Sequence, residues 1–180
     1  MAEPAQIRLR DPLRNYRFVV SVEYPDFGVR TTVGGVQRVS GLTCSVGAFE
    51  VWEGGNNLHR YANPDKVTWD PVTLEQGLAL DDTLEAWARA VRDFAMGGVV
   101  VKAHPVKRNV VIDLCEPLRS AGMPESAVAP IRRYRVHNAW ISKYSALPKL
   151  DALASEVALI SIELQHEGWT VEAVTPPTSE

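Results

Sequence analysis

Phe49-Glu50-Val51-Trp52-Glu53-Gly54-Gly55-Asn56-Asn57 is the stretch around which this chain is organised. Aromatic and β-branched residues favour a pleated surface, so Phe49 to Glu53 reads as the end of a β-strand. The pattern then stops at Gly54, Gly55, Asn56 and Asn57, the residue types that best tolerate positive φ. No regular apolar alternation resumes until about Val67. This spacing predicts a loop over residues 54–66 held out by a β scaffold, and loops of that length in compact domains are more often functional than idle. Going back from the loop, residues 45–53 carry apolar side chains on both faces. Phe49 and Val51 stand on one face, and Val46, Ala48 and Trp52 on the other. A strand covered on two sides needs a second layer or a neighbouring chain.

The rest of the chain repeats the β theme in short pieces. Tyr16, Phe18, Val20 and Val22 alternate with Arg17, Ser21 and Glu23, the period of a half-buried strand. Strands are expected at residues 30–33 and 36–40 around Gly34-Gly35. Residues 67–76 are strand-like but contain Pro71, which cannot donate to a ladder, so they form an edge strand, a bulge or two short strands. One helix is expected, with Leu84, Trp87, Ala88, Val91, Phe94 and Ala95 on a single stripe. Asp82 and Glu85 sit at capping-box positions, and Gly97-Gly98 ends the helix. Val110, Ile112 and Leu114 mark a further strand. Tyr134, Val136 and Trp140 mark another, with Arg133, Arg135 and His137 on its other face. Ala158, Ile160, Ile162 and Leu164 alternate with Ser161, Glu163 and Gln165, and residues 169–174 continue this strand after a bend. The pattern predicts a mainly β (α+β) domain: two packed antiparallel sheets, sandwich- or barrel-like, with one flanking α-helix. Residues 1–14 read as an N-terminal arm, 15–174 as a single domain and 175–180 as a disordered tail.

Composition narrows the function classes. With 180 residues, 46% of them hydrophobic and 23% charged, the chain is long enough to bury one core and reads as a soluble globular protein. A net charge of −3 argues against nucleic acid as a main partner. No apolar run has membrane-spanning length, and residues 1–10 lack a signal-peptide core, which places synthesis and first folding in the cytoplasm. Cys44 and Cys115 have no metal-binding spacing, and their apolar contexts read as buried free thiols. Chemistry is sparse. Glu163 and His166 form Glu-x-x-His, but on a strand positions three apart face opposite ways and cannot share a metal. His59, His104 and His137 have no ligand spacing, and no phosphate-binding or nucleophile motif occurs. No catalytic residue, metal ligand or cofactor is assigned. Arg132, Arg133, Arg135 and His137 read as a solvated sheet face before an anion site. Trp52, Trp69, Trp140 and Trp169 read as core aromatics before interface anchors.

Several segments, in order along nearly the whole chain, resemble the T4-type phage tail-tube family, also found in tail-like contractile injection systems. They begin with Asp11-Pro12-Leu13-Arg14-Asn15-Tyr16-Arg17-Phe18, Val39-Ser40-Gly41-Leu42, Val51-Trp52-Glu53-Gly54-Gly55-Asn56-Asn57 and Val72-Thr73-Leu74-Glu75-Gln76-Gly77. The helix with Trp87, Lys107-Arg108-Asn109-Val110, Asn138-Ala139-Trp140 and Leu164-Gln165-His166-Glu167-Gly168 complete them. The resemblance implies a fold shared with the type VI secretion tube protein and a structural rather than enzymatic role. It implies hexameric rings stacked into a tube, inside a sheath and between baseplate or initiator and terminating proteins, with nucleic acid only as possible cargo. On that reading Trp52, Gly54, Gly55, Asn56, Asn57, His59 and Tyr61 are interface candidates between subunits or rings. Arg17, Ser21, Glu23, Ser161, Glu163 and Gln165 are channel-facing candidates. Pro71 and Glu75-Gln76-Gly77 depart from the family pattern and keep a tube-initiator ring as an alternative. From other classes, a monomeric β-barrel binding module using the 54–66 loop and a small enzyme with a scattered site also remain.

Overall fold

The computed structural model describes residues 18–24, 28–51, 61–77, 82–98, 105–115, 130–147 and 159–173. In chain order the elements are β1 (Phe18–Tyr24), β2 (Val29–Val33), β3 (Val36–Val39), β4 (Cys44–Val51), β5 (Tyr61–Trp69) and β6 (Val72–Gly77). Then come α1 (Thr83–Ala95), β7 (Arg108–Cys115), β8 (Pro130–Ser145), β9 (Leu159–Gln165) and β10 (Trp169–Ala173). The expected mainly β domain with one helix is what the chain forms. Pro71 divides the 67–76 region as its missing N–H requires, ending β5 before it and starting β6 after it.

Eight strands make one antiparallel sheet in the order β2-β1-β7-β8-β9-β6-β3, with β10 alongside β8. The long strand β8 is the spine. Its first part pairs with β7 and β10, and its last part with β9. At the far side the chain turns a corner. β2 and β3 are joined by Gly34-Gly35 yet occupy opposite edges of the sheet. Gly35 takes φ +72 there, and the buried Gln76 donates its side-chain N–H to the Gly34 carbonyl at 2.7 Å. Among the described residues ladder hydrogen bonds therefore do not close the barrel; a covalent corner links its two edges.

The alternating apolar residues meet inside this curved sheet. Val20, Val22, Leu74, Val110, Val136, Ile160, Ile162 and Leu164 are buried together with Leu84, Trp87 and Val91 of α1. Each such side chain taken from water contributes about 1.5–3 kcal/mol. Trp87 is fully buried and donates its indole N–H to the Val106 carbonyl at 2.8 Å. Beside it, Arg108 is only 1% exposed. Its guanidinium lies between the rings of Tyr24 and Trp87, at 4.5 and 5.1 Å, and donates to the Tyr24 hydroxyl and the Pro105 carbonyl.

Several expectations change on contact with the fold. Asp82 stands at the helix N-terminus but makes no side-chain capping hydrogen bond. Glu85 pairs with Arg89 one turn on, as their i,i+4 spacing favours. The C-terminus follows expectation: Gly97, at φ +89, donates to Phe94 O, and Gly98 donates to Asp93 O, which satisfies two orphan carbonyls. Phe94 belongs to the helical stripe yet stays exposed beyond its packed part. Trp140 does not share the core face of Tyr134 and Val136. Asn138 adopts φ +49, and the β7–β8 register shifts beside it. The alternation slips by one residue there, so Ala139 and Ile141 enter the core and Trp140 turns outward. The cysteines are not buried as expected: Cys44 is exposed, and Cys115 is half-buried with its thiol donating to the Asp113 carbonyl at 3.8 Å.

Candidate assembly surface

Among the described residues β4 and β5 pair only with each other, from Cys44 opposite Trp69 to Val51 opposite Tyr61. Tyr61 to Lys66 is thus strand, not loop as the sequence suggested. The alternation was illegible because this ribbon has no buried face to select apolar residues at every second position. Directly opposed residues share a face. One face carries Val46, Ala48, Ala62, Pro64 and Val67; the other carries Phe49, Val51 and Tyr61. Phe49 is 59% exposed, Val46 56%, Tyr61 51% and Val67 50%. The second layer that two-sided covering requires is therefore not supplied by this chain's own described residues. An isolated two-stranded ribbon is marginal in water.

The base of the ribbon is fastened. Trp69 packs edge-on against Trp169 with centroids 5.9 Å apart and tilts against His166 at 6.2 Å. A Cβ at Gly168 would stand 3.2 Å from the Trp69 ring, and Gly168 holds φ +123. His166 Nδ1 accepts the Gly168 N–H at 3.1 Å. Its Nε2 therefore carries the proton and donates to the Asp70 carbonyl at 3.0 Å. Glu167 pairs with Lys107 and accepts from Asn138 Nδ2 at 2.7 Å, and these contacts hold its carboxyl below the usual carboxylate range. The Asn138 N–H donates to Asn109 Oδ1 at 3.1 Å. Three segments distant in sequence, around residues 107–109, 138–140 and 166–168, thus form one joint under the ribbon. Sequence reasoning noted these segments without seeing that they meet; the available signal was an asparagine and a glycine standing where strands must bend.

The polar faces lie on the sheet side away from the core. Glu23 pairs with Arg135 at 2.7 Å, and Arg135 reaches Glu172 at 3.2 Å. Asp113 accepts from Arg133 at 2.7 Å and Arg30 at 2.5 Å. Burial disfavours the Asp113 carboxylate, but the hydrogen bonds and charges of Arg133 and Arg30 outweigh it and hold the carboxyl below its ordinary value. The Arg133-Arg135 face is therefore internally neutralised and is no open anion site. Ser161, Glu163 and Gln165 share one face of β9, beside Thr73 and Glu75 of β6. Ser161 is exposed, and Glu163 and Gln165 are half-buried. Ser21 is only 1% exposed, so in this chain it presents nothing to a channel. Glu23 is on β1, three strand positions from β9, and the two polar sets are not in contact. Trp52, Gly54, Gly55, Asn56, Asn57, His59 and Arg17 lie outside the described residues. Among the described residues no group of three metal-ligating side chains forms.

A last feature is a groove of about 670 Å³ between α1 and the end of β8, lined by Ala88, Val91, Ala95, Trp140, Ile141 and Tyr144 among others.

The family model described as T4-like virus tail tube protein gp19 matches residues 14–170. The chain belongs to that family. It is a tail-tube protein, of a structural family, and the ribbon, joint and polar faces are features of its tube-protein fold. Among solved structures it is similar to a chain of the anti-feeding prophage cap, the tube terminating cap. Identity there is 22%, coverage is 97% of this chain and 100% of that chain, and the TM-score is 0.71. A chain of an extracellular contractile injection system, the PVC sheath-tube complex in its extended state, matches at 22% identity over 97% and 100%, TM-score 0.68. A crystal structure of Hcp protein matches at 11% identity over 87% and 90%, TM-score 0.52. The fold that the resemblance implied is the fold found. No curated protein sequence matches.

Proposed function

We propose that this tail-tube protein is the main subunit of the inner tube of a contractile phage tail or tail-like injection system, forming hexameric rings that stack around a channel. The observation that carries this reading is the β4–β5 ribbon, apolar on both faces and exposed along its length. A ribbon of this kind is an aggregation hazard in a monomer and a useful element in a polymer, where neighbours cover it. The proposed interface set, Trp52, Gly54, Gly55, Asn56, Asn57, His59 and Tyr61, is drawn from the sequence that links β4 to β5 and from the first residue of β5. Channel-facing roles are proposed for Arg17, Glu23, Ser161, Glu163 and Gln165; β1 and β9, which carry the last four, bury Val20, Val22, Ile160, Ile162 and Leu164 in the core. A lining whose charges are already paired, as Glu23 is with Arg135, offers little grip to passing cargo. Partners are then a second copy, a sheath protein, and initiating and terminating proteins. Assembly begins in the cytoplasm and ends in a tail-like particle; the protein has no catalytic role and no cofactor.

Electron microscopy of the purified chain over a range of concentration and salt tests this. Rings or tubes are expected. A single monomeric species under all those conditions overturns the proposal and restores the binding-module reading.

A further inference from the structure

The ribbon needs a cover, and the groove between α1 and β8 needs an occupant. We infer that the groove of one copy receives the Phe49, Val51 and Tyr61 face of the ribbon of another copy. This rests on the self-assembly proposed above and adds its receiving site.

Dimensions and apolar chemistry support the match. The groove is lined by α1 from Glu85 to Ala95, about 15 Å of helix. The ribbon's β4 has eight residues, about 27 Å at full strand rise, so one face can lie along the groove with its base outside. The groove floor is apolar: Ala88, Val91, Ala95, Ile141 and Tyr144, with the exposed Trp140 at its side. Aromatic anchors entering such a recess are the commonest way an interface concentrates its binding energy. Three cations stand in the lining, Arg89, Arg92 and Lys143, against one acid, Glu85. Of the ribbon's acids, Asp65 stands beside Gly47 on the Phe49 side, whereas Glu50 lies opposite Ala62 on the other face.

The ribbon does not fill its own chain's groove. Apart from its base at Trp69, its residues are exposed, and β4 packs extensively on β5 alone. Insertion into a second copy is a heterologous contact, which generates a ring when the rotation closes and a helix when it does not. Either outcome uses one ribbon and one groove per subunit. The second apolar face, with Val46, Pro64 and Val67, is left for a different neighbour.

The test combines a photo-crosslinker at Phe49 with a groove-filling variant. Assembled wild-type-like protein made from isotopically light and heavy chains should yield mixed-isotope crosslinks from position 49 to the 85–95 or 140–146 peptides. Ala95→Trp, at an exposed position of the groove, should keep the far-ultraviolet circular dichroism of the parent and raise the concentration needed for assembly about tenfold or more. Polymers whose position-49 crosslinks map elsewhere, or folded Ala95→Trp that assembles at the parent concentration, overturn the groove assignment and leave the tube proposal standing. A parent chain that never assembles overturns both. Should Ala95→Trp misfold, the crosslink map alone decides.

Discussion

The two β regions of this molecule are built from the same residue types and end in opposite situations. In the main sheet, Val20, Val22, Ile160 and Ile162 alternate with polar residues, and the apolar set is fully enclosed by the curved sheet and α1. In the ribbon, Val46, Phe49, Val51, Tyr61 and Val67 stand on two faces of a pair of strands and remain open to solvent. Strand propensity is alike in both; what differs is who supplies the second layer. The main sheet is closed by its own chain, so its sequence shows a clean period of two. The ribbon gets no such cover from the described residues of its own chain, and its sequence is apolar on both sides with a blurred period. A mutation in the first region should therefore register in folding, and one in the second in assembly.

That contrast can be broken or sharpened by substitutions measured on the dissociated chain. Trp87→Ala should cost the most, about 3–5 kcal/mol in urea unfolding. It removes a fully buried ring, its bond to the Val106 carbonyl and one of the two rings that hold Arg108. If unfolding hardly changed, the single-core picture of the main sheet would fail.

Asp113→Asn comes next, at about 1.5–3 kcal/mol, because Arg30 and Arg133 lose a shared, nearly buried carboxylate. Its pH signature has a definite sign. The folded carboxyl titrates below its unfolded value of about 3.9. Its contribution is complete above that value and is lost as pH falls through the lower, folded one. Acid unfolding of the parent should be steeper there than that of the variant; superimposable profiles would remove Asp113 from the network.

Gly168→Ala should cost less, about 1–2 kcal/mol, since a Cβ at φ +123 is strained and meets the Trp69 ring. Its indole fluorescence should shift, reporting Trp69 displaced from the joint. An unchanged spectrum with unchanged stability would mean that the ribbon base is not fastened there.

The smallest effect on folding is expected for Phe49→Ser, within about 0.5 kcal/mol for an exposed position. It is also the most discriminating, because assembly should be lost while the monomer remains as stable as the parent. A destabilised monomer would mean that the ribbon packs on its own chain after all.

The sequence by itself determined which segments alternate. From that alone followed the strands of the main sheet, the one amphipathic helix and the mainly β class, since burial on one side imposes a period that can be read directly; at Pro71 an edge strand, a bulge and two short strands stayed open until the fold chose the last. It also marked residues 45–53 as needing cover on both sides. Three further things were decided only by tertiary structure. The one-residue slip at Asn138, which turns Trp140 outward, depends on how β8 bends between two partners. The strand character of Tyr61 to Lys66 comes from pairing with β4, a long-range contact that leaves no local period. The joint of Lys107, Asn109, Asn138, His166, Glu167 and Gly168 unites polar residues far apart in the chain, and hydrogen bonds between distant segments have no sequence spacing at all. Local periodicity records burial against one's own chain; bends, pairings and polar joints are properties of the assembled fold.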